Sequence, residues 1–191
     1  MALKIIDIAN IDIATINKAE IFALDTNILY WTHYSKASDP NLGALPYQVL
    51  KYPNFVQELL DNGNTLVTTV LNISELIHVV ENSEYKIYKA FNKRFIKKKD
   101  FRNLSSERIK YKNELIIIMS ELKEAYGNQI KIIDIKEKYI NNYISKIESN
   151  ICDIFDYLVI EKLKKEGINN FITDDKDFRT VDGINLFTAY N

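Results

Sequence analysis

Four short apolar runs punctuate this chain, at 20–25 (EIFALD), 65–69 (TLVTT), 168–173 (INNFIT) and 184–188 (INLFT), and helical patterns separate them. Runs this short, with no polar alternation, are the signature of strands buried on both faces. That predicts an α/β fold around a parallel sheet covered by helices. Open sheets of this kind bind ligands beyond the carboxyl ends of their strands. The first run closes on Asp25 and the third runs into Asp174 and Asp175. The pattern therefore directs attention to one edge of the sheet before any motif is considered.

The remaining segments are read as follows. NISELIHVVE predicts a helix after the second run, with Asn72 or Ser74 near its start. Farther on, Tyr88, Phe91 and Phe95 fall on one helical face and predict a core stripe, with Lys86, Lys89, Lys93 and Lys97 opposite. A second helix opens at Ser105 or Ser106, carries Tyr111, Leu115, Ile118 and Leu122 as its apolar seam, and stops at Gly127. Together these two predict a helical hairpin inserted at about 84–126. Two more helices are expected near 136–149 and 153–166, the latter ending at Gly167. The stretch 35–54, with Pro40, Gly43, Pro46 and Pro53, predicts the longest loop. Residues 1–19 read as an extension ahead of the first strand, and 1–191 as a single domain.

Several kinds of chemistry are excluded early. Cys152 is the only cysteine, so no internal disulfide can form, and it reads as a small buried hydrophobe rather than a nucleophile. The two histidines, His33 and His78, are too few for a His-rich zinc site. No apolar run approaches the ~20 residues of a membrane span, and the acidic, broken start MALKIIDIANIDIAT does not resemble a secretory signal. A cytoplasmic location is expected. The net charge of −1 conceals a separation: residues 86–112 hold eleven Lys and Arg against Asp100 and Glu107, so this segment is near +9 and the remainder near −10. Such a basic arm on an acidic body suits a polyanionic partner. Its lysine face would either guide RNA or simply be solvated.

Chemistry must then rest on carboxylates. Asp25 ends the first strand, Glu75 lies in the helix after the second, Asp156 starts DYLVIEKLKKEG, and Asp175 follows INNFIT, with Asp153 and Asp177 close by. Each has a plain structural use. Asp25 can cap a helix, Asp153 and Asp156 suit a helix N-terminus, Glu75 can be a solvated mid-helix residue, and TDDKDF can be an acidic turn. Taken together, four acids at successive element boundaries are hard to explain as unrelated caps. Clustered carboxylates repel, so such a group makes sense when a hard cation such as Mg²⁺ or Mn²⁺ fills it. One or two such ions supply what phosphodiester hydrolysis requires.

In order and wording, LDTNIL, the Glu75 of NISELI, DYLVIEKLKKEG and FITDDKDF resemble the motifs of PIN-domain nucleases, a family that includes the ribonuclease toxins of bacterial toxin–antitoxin pairs. The resemblance spans 20–188. It implies a three-layer α/β/α fold with a central parallel sheet, acids meeting at one sheet edge, Mg²⁺ or Mn²⁺ as cofactor, RNA as substrate, an antitoxin protein as partner and a homodimer. Carried over by position, Asp25, Glu75, Asp156 and Asp175 are the metal-binding catalytic acids, with Asp177 as a fifth metal ligand. Thr26, Asn27 and Thr173, with Asp153, are supporting residues. Asp174 is an extra acid, placed to crowd the site or reach the metal. Two other readings stand beside this one. A non-catalytic PIN-like RNA-binding module would suit the basic hairpin but gains nothing from clustered negative charge. Among other Mg²⁺-dependent phosphohydrolases, the haloacid-dehalogenase type needs a second Asp where Asn27 stands, and no Gly-rich phosphate loop follows any strand.

Overall fold

The computed structural model describes residues 2–92, 95–125, 129–136, 143 and 152–190. In chain order the elements are β1 (Lys4–Asp7), β2 (Ile21–Leu24), α1 (Thr26–His33), α2 (Pro46–Asn62), β3 (Thr65–Thr69), α3 (Val70–Asn92), α4 (Lys98–Arg102), α5 (Ser105–Ser120), β4 (Ile130–Ile133), α6 (Ile154–Lys165), β5 (Asn170–Ile172) and β6 (Asn185–Thr188). All strand pairs are parallel, in the order β1-β6-β5-β2-β3-β4. The architecture is the PIN-like α/β one, a parallel sheet between helical layers.

Side chains alternate between two covered faces along the central strands, which is why β2 and β5 read as apolar runs. Phe22, Leu24, Leu66, Ile172 and Phe187 enter a core shared with α1, α2, α3 and α5. Their neighbours Ala23, Val67, Phe171 and Leu186 point the other way, into a core with Val159, Ile160 and Leu163 of α6. Cys152 is buried in this second core. Burial pushes its thiol up to about 11, so it stays protonated at neutral pH.

The sheet has a topological switch at β2. From β2 the chain moves outward through β3 to β4, then returns to the opposite side as β5. The carboxyl ends of β2, β3 and β5 thus border a crevice where outgoing connections diverge.

Several sequence expectations are corrected. The leading segment contains β1, paired with β6 from Lys4↔Asn185 to Asp7↔Thr188. Strand β4 was also unforeseen. The expected loop 35–54 ends at Leu45, and Pro46 begins the 17-residue α2. Pro at the first helical turn lacks only an N–H that would be unpaired anyway. Pro53 does sit inside the helix and removes one hydrogen bond, a loss of about 3 kcal/mol. Burial of Tyr52, Phe55, Val56, Leu59 and Leu60 on one stripe offsets it.

The hairpin forms from α3 and α5, with α4 between them. Tyr111 OH donates to Ile77 O at 3.0 Å across it. Ser105 is already helical rather than a cap, since the N-cap is Leu104. The aromatic stripe is not core: Phe91 and Phe95 are 76% and 81% exposed. Helix α3 ends at Asn92, so Phe95 leaves it, while Tyr88 packs against the ring of Phe101 at 5.5 Å. Lys93, Gly127 and nearly all of the helix expected at 136–149 lie outside the described residues. Among the described residues no helix is long and apolar enough to cross a membrane.

Candidate active site

Asp25 stands where β2 hands the chain to α1, and its local role is that of a helix cap. Its Oδ1 accepts from Thr26 N at 2.7 Å. The rest of its environment goes beyond capping. Oδ2 accepts from Thr173 Oγ1 at 2.5 Å and from Asn27 Nδ2 at 2.8 Å. Asn27 Nδ2 also reaches Thr173 Oγ1 at 3.1 Å. Thr173 lies at the end of β5, so Asp25 is tied across the switch point. On the β3 side, Thr26 Oγ1 donates to Glu75 Oε2 at 2.7 Å. Asn72 approaches from α3, its Nδ2 3.2 Å from Thr26 Oγ1 and 3.5 Å from Asp25 Oδ1, and its Oδ1 accepts from Thr69 Oγ1 at 2.6 Å. Thr26, Asn72, Thr69 and Thr173 are all buried. This polar bracket holds two carboxylates in place.

The other acids arrive from the carboxyl side of the sheet. Asp153 caps α6, its Oδ1 accepting from Asp156 N at 3.0 Å. Asp175 opens the short turn after β5. Its N donates to Thr173 Oγ1 at 3.0 Å, and its Oδ1 accepts from Asp177 N at 2.9 Å. Asp25, Glu75, Asp153, Asp156 and Asp175 line one open cleft of about 360 Å³, with Thr26, Asn27, Tyr30, Trp31 and Val79. Asp177 is exposed and does not line it.

Asp174 does not join this group. Its Oδ1 accepts from Tyr52 OH at 2.6 Å, and its Oδ2 from Gln48 Nε2 at 2.6 Å and Tyr47 OH at 3.0 Å. Adjacent residues of an extended segment point to opposite sides, so Asp174 clamps α2 while Asp175 faces the cleft. This corrects the expectation that Asp174 would crowd the acids or reach a metal.

Electrostatics set the cleft apart. Burial pushes Asp25 up to about 6. Repulsion from Glu75 and Asp175 adds to that, against hydrogen bonds from Thr173 and Thr26. Burial, then the charges of Asp25, Asp153, Asp175 and Glu75, push Asp156 up to about 8. Among the described residues no Lys or Arg lines the cleft. The buried Asn27 Oδ1 also has no hydrogen-bond partner among the described residues. Uncompensated carboxylates and an unpaired amide oxygen are a donor set for a hard cation. Among the described residues, no group of three His, Cys, Asp or Glu side chains is already arranged to hold one.

The expected lysine face is divided by the fold. Lys86 and Lys89 lie on α3. Lys89 Nζ sits over Tyr85 at 5.3 Å and Phe95 at 5.4 Å. Lys97 is the N-cap of α4, on a separate element. At 1.5 Å per residue, Lys86 is about 17 Å along α3 from Glu75.

The sequence reading missed Asn72 as a site residue. Its signal was present: it precedes Glu75 by three positions, hence shares its helix face. Trp31 and Tyr30 of the cleft wall had none, because an apolar helix face does not reveal which end of it borders a cleft.

No family model and no curated protein matches the sequence. Among solved structures, the chain is similar to the crystal structure of VapBC2 from Rickettsia felis bound to a DNA fragment from their promoter. The TM-score is 0.52, with 18% identity, covering 88% of this chain and 98% of that one. A likeness at this identity speaks for the fold, and the fold it supports is the PIN-like one.

Proposed function

We propose that this protein is a Mg²⁺- or Mn²⁺-dependent endoribonuclease. The observation that carries the reading is the cleft itself: Asp25, Glu75, Asp156 and Asp175, from four separate segments, line one cavity at the switch point of a parallel sheet. The four acids bind and orient the cation. Thr26, Asn27, Thr173 and Asn72 keep Asp25 and Glu75 from swinging apart, and Asp153 fixes the first turn of α6 that carries Asp156. A bound divalent ion supplies positive charge to the phosphate and the leaving oxygen. Asp177 acts on this cluster indirectly, through its N–H to Asp175 Oδ1. The basic residues Lys86 and Lys89 of α3, with Lys93 and Lys97 farther along the chain, draw RNA toward the acids.

The likeness to VapBC2 supports a narrower reading, in which this chain is the toxin of a toxin–antitoxin pair with an antitoxin protein as partner. Exposed Ile109, Ile116 and Ile117 on α5 offer an apolar surface for a homodimer, which light scattering at micromolar concentration checks.

The deciding experiment is cleavage of labelled single-stranded or looped RNA with Mg²⁺ or Mn²⁺. Products with a 5′-phosphate and a 3′-hydroxyl are expected, because a carboxylate site favours water attack over the RNA's own 2′-hydroxyl. Full activity in EDTA, or a cyclic phosphate end, refutes the reading. Binding without cleavage identifies a non-catalytic module, and turnover of small phosphate esters alone identifies another phosphohydrolase.

A further inference from the structure

A second cavity, of about 470 Å³, adjoins the acid cleft and shares Glu75 and Asp153 with it. Its remaining walls are Leu71, Ser74, His78 and Phe155. One wall is a single stripe of α3, since residues 71, 74, 75 and 78 follow the i, i+3, i+4, i+7 spacing of one helix face. The other is the first turn of α6, where Phe155 is 55% exposed beside buried Tyr157 and Leu158. A large ring left half in solvent, at the rim of a polar site, is a platform without a partner among the described residues.

The wall chemistry selects the ligand. Among the described residues two carboxylates and no Lys or Arg line this cavity, a wall that disfavours a phosphate. A flat, uncharged group suits it, with a face to stack on an aromatic ring and an edge that donates to carboxylate or hydroxyl oxygen. Nucleobases carrying an exocyclic amino group have both properties. The cavity also begins where the acid cleft ends, so a strand whose phosphate lies against the acids brings its adjacent nucleotide here.

We propose that this cavity is a nucleobase subsite, in which a base flanking the cut phosphate stacks on Phe155 and its amino edge meets Asp153, Ser74 or His78. This rests on the nuclease reading above and gives it a specificity element, a preference for adenine, cytosine or guanine over uracil at one position.

The test is steady-state cleavage of a fluorescein-labelled single-stranded oligoribonucleotide in Mg²⁺. Phe155→Ala raises KM about tenfold or more, the range of one lost base stack, with kcat within about twofold. Phe155→Trp, which keeps a stacking face, retains the parent KM. An abasic nucleotide walked along the substrate raises the parent's KM by a similar factor at one position and adds nothing in Phe155→Ala. Intact cleavage with KM unchanged in Phe155→Ala, or abasic and alanine effects that simply add, overturns the subsite and leaves the nuclease reading standing. Should the parent not cleave, the nuclease reading fails by itself. Fluorescence anisotropy of the same oligonucleotide then decides the subsite: weaker binding by Phe155→Ala than by Phe155→Trp upholds it, and equal binding removes it.

Discussion

The acid cleft and the helical hairpin each hold sequestered carboxylates, and the two regions treat them in opposite ways. In the hairpin, buried Glu81 accepts from Arg102 Nε at 2.8 Å and Nη2 at 2.6 Å. Lys98 Nζ lies at 3.0 Å and Arg108 Nη1 at 3.6 Å. The Arg102 hydrogen bond is the main cause that pulls Glu81 down to about 2. In the cleft, burial and neighbouring acids push Asp25 up to about 6 and Asp156 to about 8. Glu81 has its counterions built in and welds α3 to α4 and α5. The cleft carboxylates are brought together without any among the described residues, a costly arrangement unless a further charge is supplied. The same comparison reduces the hairpin's apparent surplus of cations, since three of them are engaged by one buried carboxylate. What remains for a polyanion is a smaller set.

The largest expected difference is catalytic. Asp25→Asn or Glu75→Gln should lower metal-dependent RNA cleavage by about a thousandfold or more, some 4 kcal/mol of barrier. Neutralising Lys86, Lys89, Lys93 and Lys97 should leave kcat within a few-fold. Timed gel assays at saturating RNA make the comparison. A lysine variant that loses as much kcat as Asp25→Asn erases the distinction between the two regions.

Next in size is the weld. Glu81→Gln should cost about 2 kcal/mol, because it strands three cations around a neutral amide. Its pH signature follows from a folded value below the unfolded 4.5. The stabilisation is present above about pH 4.5 and fades as pH falls toward 2. Urea unfolding of the parent should show that acid limb, and Glu81→Gln should flatten it. An unaltered acid limb in the variant would assign it to other groups.

The cleft should give the reverse. Asp25 and Asp156 hold protons more tightly when folded, so metal-free stability falls as pH rises from about 4 to about 8. Asp156→Asn or Asp25→Asn should then stabilise the metal-free protein at pH 8 by on the order of 1 kcal/mol after solvent screening, or about 2–4 °C in Tm. Near pH 4 the gain should vanish. Mn²⁺ at a hundredfold excess over its Kd should stabilise the parent by about 2.7 kcal/mol, and these variants should lose most of that shift. Identical calorimetric responses to Mn²⁺ in parent and variants would mean the acids do not share an ion.

The smallest effect is in salt dependence. With all four lysines neutralised, the slope of log Kd against log salt for single-stranded RNA should drop by about 3, at ~0.7 per phosphate contact. The split positions of Lys97 and of the α3 lysines sharpen this. Lys86 and Lys89 together should account for about 1.4 of that drop, and a drop of about 0.7 or less would mean that RNA tracks only part of α3.

The sequence by itself determined the sheet's centre and the placement of its acids. The runs at 20–25, 65–69, 168–173 and 184–188 became strands because a doubly covered parallel strand must be apolar on both faces, which is a local signal. Asp25, Glu75, Asp156 and Asp175 were legible because strand ends and helix starts are punctuated locally. Tertiary structure decided the rest. Strand β1 is four residues long and exists because β6 offers an open edge. Helix α2 tolerates Pro53 because its buried stripe outweighs a local penalty that sequence reading takes at face value. Phe91 is exposed on the last turn of α3 and Phe95 beyond its end, and periodicity says which face an aromatic occupies but not where the helix stops or whether anything covers that face. Asp174 and Asp175 were indistinguishable as neighbours in TDDKDF. Only the packing of α2 against the end of β5 gives one of them three hydrogen-bonding partners and leaves the other facing the cleft. Charge compensation is likewise a property of space rather than of order along the chain, and so it took the fold to separate a paired Glu81 from the unpaired acids that mark the candidate site.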